Sequence, residues 1–137
     1  MNAMRAFLDT NVLVYAFTQD ERAGTAEALL AQGCDVNVQV LNEFANVAMR
    51  KLGFDWTQLG EALAAVRSLC ANVHLIDVET HEEAMRLAEH HRLSVFDALI
   101  VASALRAGCA RLYSEDMQDG LLVDGSLTIV NPFVGNG

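Results

Sequence analysis

What this sequence has little of narrows its class before any motif is read. It contains one proline and no Gly/Ser-rich or low-complexity stretch. That excludes a linker, and we expect a single domain over residues 1–137, with disorder confined to the last few. Long apolar runs are also missing. The longest fall well short of the roughly 20 residues that span a bilayer, and Asp9 and Asn11 interrupt the apolar start before it could serve as a signal segment. No membrane association is therefore expected, and the chain reads as soluble and cytoplasmic. The three cysteines, Cys34, Cys70 and Cys109, are odd in number and far apart in apolar surroundings, which suits reduced core thiols rather than a disulfide framework. No histidine stands at a zinc-binding spacing from any of them. Basic residues number 9 against 18 acidic ones, a formal net charge of −9. Such a balance argues against a broad basic surface of the kind that neutralises phosphates non-specifically.

What is there is a chain of 53% hydrophobic residues that alternates between two periodicities. Short apolar or β-branched runs at MRAFLD (4–9), DVNV (35–38), VHLIDV (73–78), ARLYS (110–114) and LTIV (127–130) predict strands. Between them lie helical patterns. Two, over 21–33 and 39–53, stop at Gly33 and Gly53. A third is capped by Asp55 and places Trp56, Leu59, Leu63, Val66 and Cys70 on one face. A Thr80–Glu83 capping box opens a fourth, to about Arg92, and Ser94 opens a fifth that ends near Gly108. Strands separated by helices imply right-handed crossovers onto a mostly parallel sheet covered on both faces, the α/β class. Ligands of such sheets bind in the crevice outside the carboxyl ends of the strands.

Several acids stand where that crevice should be. Asp9, in FLDTNVLVY (7–15), sits inside an otherwise apolar run, where an unpaired ionised carboxylate is expensive. It must either cap the helix beginning TNVLV or bind something. Glu115, Asp116 and Asp119 follow the strand ARLYS, and the two aspartates would equally suit a turn before Gly120. Asp97 would fit the fourth place of a capping box opened by Ser94. Glu43 has Gln39, Val40, Asn46 and Val47 three and four residues away, none of them basic, and would pass for a solvated glutamate beside an apolar stripe. The joint pattern points instead to one crevice lined with carboxylates. Such a set repels itself unless a cation neutralises it, and oxygen donors without imidazole or thiolate select Mg²⁺ or Mn²⁺ over zinc.

In this order and spacing, FLDTNVLVY, QVLNEF (39–44), SVFDALIVASAL (94–105), LYSEDMQDG (112–120) and LTIVNPF (127–133) resemble the PIN-domain family, and within it the VapC toxin subunits of bacterial toxin–antitoxin pairs. The resemblance runs over nearly the whole chain. It implies an α/β/α sandwich around a five-stranded, mostly parallel sheet, and a metal-dependent ribonuclease whose acidic quartet is Asp9, Glu43, Asp97 and Asp116. Asp9, Asp97 and Asp116 would hold one or two Mg²⁺ ions, and Glu43 would orient or deprotonate the attacking water. Ser114 occupies the Ser/Thr place before the fourth acid, Asp119 matches a more variable supporting acid, and we give Asn11 a supporting role. Gly120 stands where other branches often carry an aromatic. RNA as substrate, an antitoxin as partner and a homodimer are implied as well, the exposed face of the Trp56 helix being a candidate dimer surface. An acidic pocket also suits an antitoxin that inserts an arginine.

Arg50, Lys51, Arg5, Arg106 and Arg111 could touch phosphates or simply be solvated. Rival chemistries fit less well. A phospho-acceptor receiver or a haloacid-dehalogenase-like phosphatase also puts an aspartate after its first strand, but both need a late lysine, and Lys51 is the only lysine. No P-loop or dinucleotide-type glycine fingerprint is present. Two alternatives stay open: a module that binds RNA or protein without cutting, and a solitary RNA-processing nuclease.

Overall fold

The computed structural model describes residues 5–134. The expected strand start at Met4 and the expected disorder of the last residues lie outside that range. Six strands form one sheet: β1 Ala6–Leu8, β2 Asp35–Asn37, β3 Asn72–His74, β4 Arg111–Tyr113, β5 Leu122–Val123 and β6 Leu127–Val130. Their order is β3-β2-β1-β4-β6-β5, and every pairing is parallel except β5 with β6. Six helices accompany them: α1 Thr10–Tyr15, α2 Ala23–Ala31, α3 Val38–Arg50, α4 Trp56–Leu69, α5 Val78–His91 and α6 Val95–Arg106. No helix among the described residues is long and apolar enough to cross a membrane. The α/β class with a mostly parallel sheet is the one that the alternating periodicity predicts.

Four details differ from the sequence reading. The sheet has six strands rather than five, because the short β5 folds back onto β6 through Asp124 (φ 51°) and Gly125 (φ 71°). Positive φ at both central residues is the type I′ requirement that Asp-Gly meets. β3 ends at His74 instead of reaching Val78, since Asp77 turns out of the sheet to cap α5. The Asp77 carboxylate accepts from the Thr80 amide at 2.8 Å and from the Thr80 hydroxyl at 2.6 Å, so Asp77 and not Thr80 is the cap. Trp56 is 76% exposed and does not share the buried face of α4, which consists of Leu59, Ala62 and Val66.

Phe7 and Leu8 of β1, Val36 of β2, Leu112 of β4 and Ile129 of β6 are fully buried between the helical layers, with Val12, Leu13, Val40 and Phe44 packed against them. Burial of each such side chain is worth about 1.5–3 kcal/mol. Ala98, Ala102 and Ala104 are fully buried on α6, and their small side chains let that helix lie close against its neighbours.

Topology then builds the crevice. From β1 the chain moves to β2 and β3 on one side and returns through β4 on the other, so strand order reverses between β1 and β4. α3 starts directly where β2 ends, and α6 leads into the start of β4, which puts its own first turn at the carboxyl edge of the sheet. Asn37 locks this arrangement. Its Oδ1 accepts from the Val40 amide at 2.9 Å, capping α3, and its Nδ2 donates to Ser103 Oγ of α6 at 2.7 Å. One fully buried amide thus ties together the two helices that carry Glu43 and Asp97.

Replacing Asn37 with Ala removes a cap and leaves a buried hydroxyl without its donor, so we expect a loss of about 2–4 kcal/mol. Ser103→Ala should cost about half as much, because it strands only one side-chain N–H. Urea unfolding of both variants measures this. A loss below about 0.5 kcal/mol for Asn37→Ala would show that the α3–α6 tie carries no weight.

Candidate active site

The amide of Asp9 donates to the Tyr113 carbonyl at 3.0 Å, extending the β1–β4 ladder by one residue and bringing the Asp9 side chain beside the Ser114–Asp116 loop. Asp9 does cap the helix that follows it, one of the two readings its sequence position allowed. Its Oδ1 caps α1 by accepting from the Thr10 amide at 2.7 Å. Its Oδ2 accepts from Ser114 Oγ at 2.8 Å and from Asn11 Nδ2 at 3.3 Å. The carboxylate is only 5% exposed, and burial, the largest influence, pushes its pKa up to about 6. The Ser114 and Thr10 hydrogen bonds pull it down, and the nearby charges of Asp97 and Glu43 push it up.

Ser114 is fully buried and holds the loop in shape: while donating to Asp9, its oxygen accepts from the amides of Asp116 at 3.2 Å and Met117 at 3.3 Å. Asn11 joins the two ends of the site. Its Nδ2 donates to Asp116 Oδ2 at 3.0 Å as well as to Asp9, and its Oδ1 accepts from the Glu115 amide at 3.1 Å. Glu43, from the middle of α3, accepts from Thr10 Oγ1 at 2.8 Å. Asp97 lies in the first turn of α6, where Ser94 caps the helix by accepting from the Asp97 amide at 3.1 Å. Burial raises the Asp97 pKa, the Ser94 hydrogen bond lowers it, and repulsion from Asp116 and Glu43 raises it further.

Asp9, Glu43, Asp97 and Asp116 all line one open cavity of about 460 Å³, together with Asn11 and Thr10. The capping geometry of Asp9 and the Ser94 cap beside Asp97 therefore coexist with a shared acidic pocket. Ser114 underlies it. Asp119 does not line it: its Oδ1 accepts from the Asn131 amide at 2.8 Å, tying the loop after β4 to the residue that follows β6. Of the basic residues considered, Arg5 pairs with buried Asp35, which also holds His74 Nε2 at 2.8 Å, and Arg106 lies 3.7 Å from Asp77. Neither lines the acidic cavity, whereas Lys51 does.

Sequence reading missed two contributors, Thr10 and Tyr15. Thr10 orients Glu43 across 33 positions, a contact with no local signal. Tyr15 and Glu115 also line the cavity and bond to each other at 2.6 Å, with the Arg22 guanidinium 3.0 Å from Glu115 and 5.0 Å above the Tyr15 ring. Tyr15 lies four residues beyond Asn11 on α1, so the helical repeat starting in the DTN stretch could have found it.

Among the described residues no three carboxylate, imidazole or thiolate groups stand together as a ready-made metal cage. The donors are spread around the cavity wall. All are oxygens, and one of them is a buried carboxylate with a raised pKa and like-charged neighbours, which is the chemistry that a hard divalent cation relieves.

Residues 6–118 match the profile of the PIN domain family. No curated protein matches the sequence. Among solved structures, the chain is similar to the VapC20 toxin of Mycobacterium tuberculosis, which cleaves the sarcin–ricin loop, at 24% identity and a TM-score of 0.66 over 81% of this chain and 91% of that one. It is similar to a toxin–antitoxin complex from Klebsiella pneumoniae at 21% identity and a TM-score of 0.72, covering 93% and 98% of the two chains. A third is VapBC2 of Rickettsia felis bound to a promoter DNA fragment, at 19% identity and a TM-score of 0.66 over 93% and 100%. At these identities the likeness is one of fold.

The raised pKa of Asp9 sets a pH dependence. A carboxyl group bound more tightly to its proton in the folded state gives stability that is complete below its unfolded value, near 3.8, and is lost as pH rises through about 6. Asp97, also raised, acts in the same sense, whereas Asp20, Asp77 and Glu83 are lowered and act only in more acid solution. In chelator, Asp9 alone should lower the unfolding free energy by about 3 kcal/mol between about pH 3 and pH 7, of which about 1.3 kcal/mol falls between pH 5 and pH 7. Asp9→Asn should flatten that decline. A wild-type profile that is level across this range would contradict the geometry of the site.

Proposed function

The chain belongs to the PIN-domain family, and from that premise we propose that it is a divalent-metal-dependent endoribonuclease, the toxin of a type II toxin–antitoxin pair. The observation that carries this reading is the convergence of Asp9, Glu43, Asp97 and Asp116 from β1, α3, α6 and the loop after β4 on one cavity at the carboxyl edge of the sheet. A module that only bound RNA would gain nothing from four mutually repelling acids. The toxin role is supported by the toxin–antitoxin assemblies among the similar structures, which also support an antitoxin as partner.

Asp9, Asp97 and Asp116 would hold Mg²⁺ or Mn²⁺, with Asn11 keeping Asp9 and Asp116 in register through its two N–H bonds. Such an ion, which commonly takes one or two carboxylates and retains water, supplies charge neutralisation and a nucleophile at neutral pH. The residues of the chain do the rest. The Ser114 hydroxyl and the Thr10 amide favour the ionised form of Asp9 in spite of its burial. The Thr10 hydroxyl fixes the orientation of Glu43, which takes the proton from the attacking water. In-line attack at phosphorus then cleaves the phosphodiester.

Purified protein should cut RNA with Mg²⁺ or Mn²⁺ and stop in chelator, and Asp9→Asn or Asp97→Asn should lower the rate by at least about a hundredfold. Glu43→Gln should lose most activity yet keep metal binding. Full activity in chelator would remove the metal from the reaction, and full activity in Glu43→Gln would remove the base. Thermal melts give an independent check: Asp97→Asn should melt above wild type in chelator but respond less to magnesium, whereas equal magnesium shifts would reduce Asp97 to a helix-start residue. A homodimer belongs to the same proposal, with exposed Trp56 at its candidate surface. Light scattering showing only a species of 14.9 kDa at micromolar concentration would exclude the dimer.

A further inference from the structure

Building on the nuclease reading, we propose that Lys51 grips a backbone phosphate of the RNA other than the one that is cleaved, and so sets which way the strand lies in the cavity. Lys51 is the only lysine of the chain and, among the described residues, the only cation lining the acidic cavity, against five carboxylates. It is exposed, and among the described residues no ion pair engages it, while Arg5, Arg22, Arg86 and Arg106 are all paired with acids.

Its place in the helix decides which phosphate it reaches. Glu43, Val47 and Lys51 follow one another at four-residue steps along α3, and all three line the cavity. Residues at that spacing share one helix face. The Lys51 amide donates to the Val47 carbonyl at 2.7 Å, so the helical register holds through this position, and Gly53 (φ 72°) turns the chain away just after it. Eight residues of helix place Lys51 about 12 Å along the axis from Glu43. That is farther than one phosphodiester extends, while a nucleic-acid strand carries a charge for about every 3.4 Å of rise in a duplex. A strand with its scissile phosphate beside Glu43 therefore presents a different phosphate to Lys51. The flexible ammonium suits that role as a point charge. It also gives a polyanion one attractive contact in a cavity whose other charges repel it.

Two substrates separate this role from a general one: an oligoribonucleotide, and bis(p-nitrophenyl) phosphate, which has no neighbouring phosphate. Lys51→Met should lower kcat/KM on the oligonucleotide about tenfold, mainly through KM, and leave the small diester unchanged. Lys51→Arg should restore most of the loss, and Arg67→Met, an exposed arginine away from the cavity, should change neither. In a Glu43→Gln background, which removes cleavage, Lys51→Met should weaken RNA binding and reduce the slope of log K against log salt by about one. Equal loss on both substrates, or an unchanged salt slope, overturns the proposal. If wild type cleaves neither substrate while the slope still drops, the nuclease reading fails and the phosphate contact stands; cleavage of RNA that ignores Lys51→Met gives the reverse.

Discussion

The carboxylate of Asp9 is the constraint on which the rest of the structure turns. It is 5% exposed, it follows two fully buried residues of the central strand, and it cannot move without breaking the β1–β4 ladder through its own amide. A charge in such a place must be surrounded by donors, and the surrounding structure supplies them. The Thr10 amide comes from the start of α1, the Ser114 hydroxyl from the end of β4 and the Asn11 amide from the first turn of α1. Those donors leave the carboxylate short of full compensation, which is why its pKa rises to about 6 instead of falling as a well-capped aspartate would.

Local geometry and chemistry are joined at this point. The same hydrogen bonds that satisfy Asp9 also shape the loop bearing Asp116, since the Ser114 oxygen accepts the Asp116 and Met117 amides. The same α1 turn that caps on Asp9 carries Thr10 to Glu43. Asn37, at the end of the neighbouring strand, sets the start of α3 against α6 and so fixes how far Glu43 stands from Asp97. The acids stand close enough that Asp97 and Glu43 help to raise the pKa of Asp9, and Asp116 and Glu43 that of Asp97. Stability given up in this way is a common feature of functional sites.

Much of this was legible in the sequence. Strand and helix order follows from hydrophobic periodicity, and Asp9 announces itself as a charge inside an apolar run. Glu43 stands out because nothing three or four residues away neutralises it. What stayed hidden depends on contacts distant in the chain or on competition between local signals. The Thr10–Glu43 and Asn37–Ser103 bonds join residues 33 and 66 positions apart and leave no local trace. Asp77 displaced Thr80 as a cap because two good capping residues stood three apart, and only the geometry of the chain leaving β3 decides between them. Asp119 sits in the same turn-like stretch as Asp116, yet the return of the chain at Asn131 draws it out of the cavity. Lys51 was legible as one of five basic residues that could touch phosphates, but nothing singled it out from the other four, because its relation to Glu43 spans two helical turns instead of one.

The central claim is that a cation completes the compensation that the protein leaves unfinished at Asp9. Calorimetric titration of the protein with Mn²⁺ at pH 6 and pH 8, each in two buffers of different ionisation enthalpy, tests it most directly. Near pH 6 Asp9 holds its proton about half the time, so binding should expel about half a proton per site at pH 6 and almost none at pH 8. Asp9→Asn should abolish that difference. Binding without proton release at pH 6, or no binding at either pH, would contradict the account.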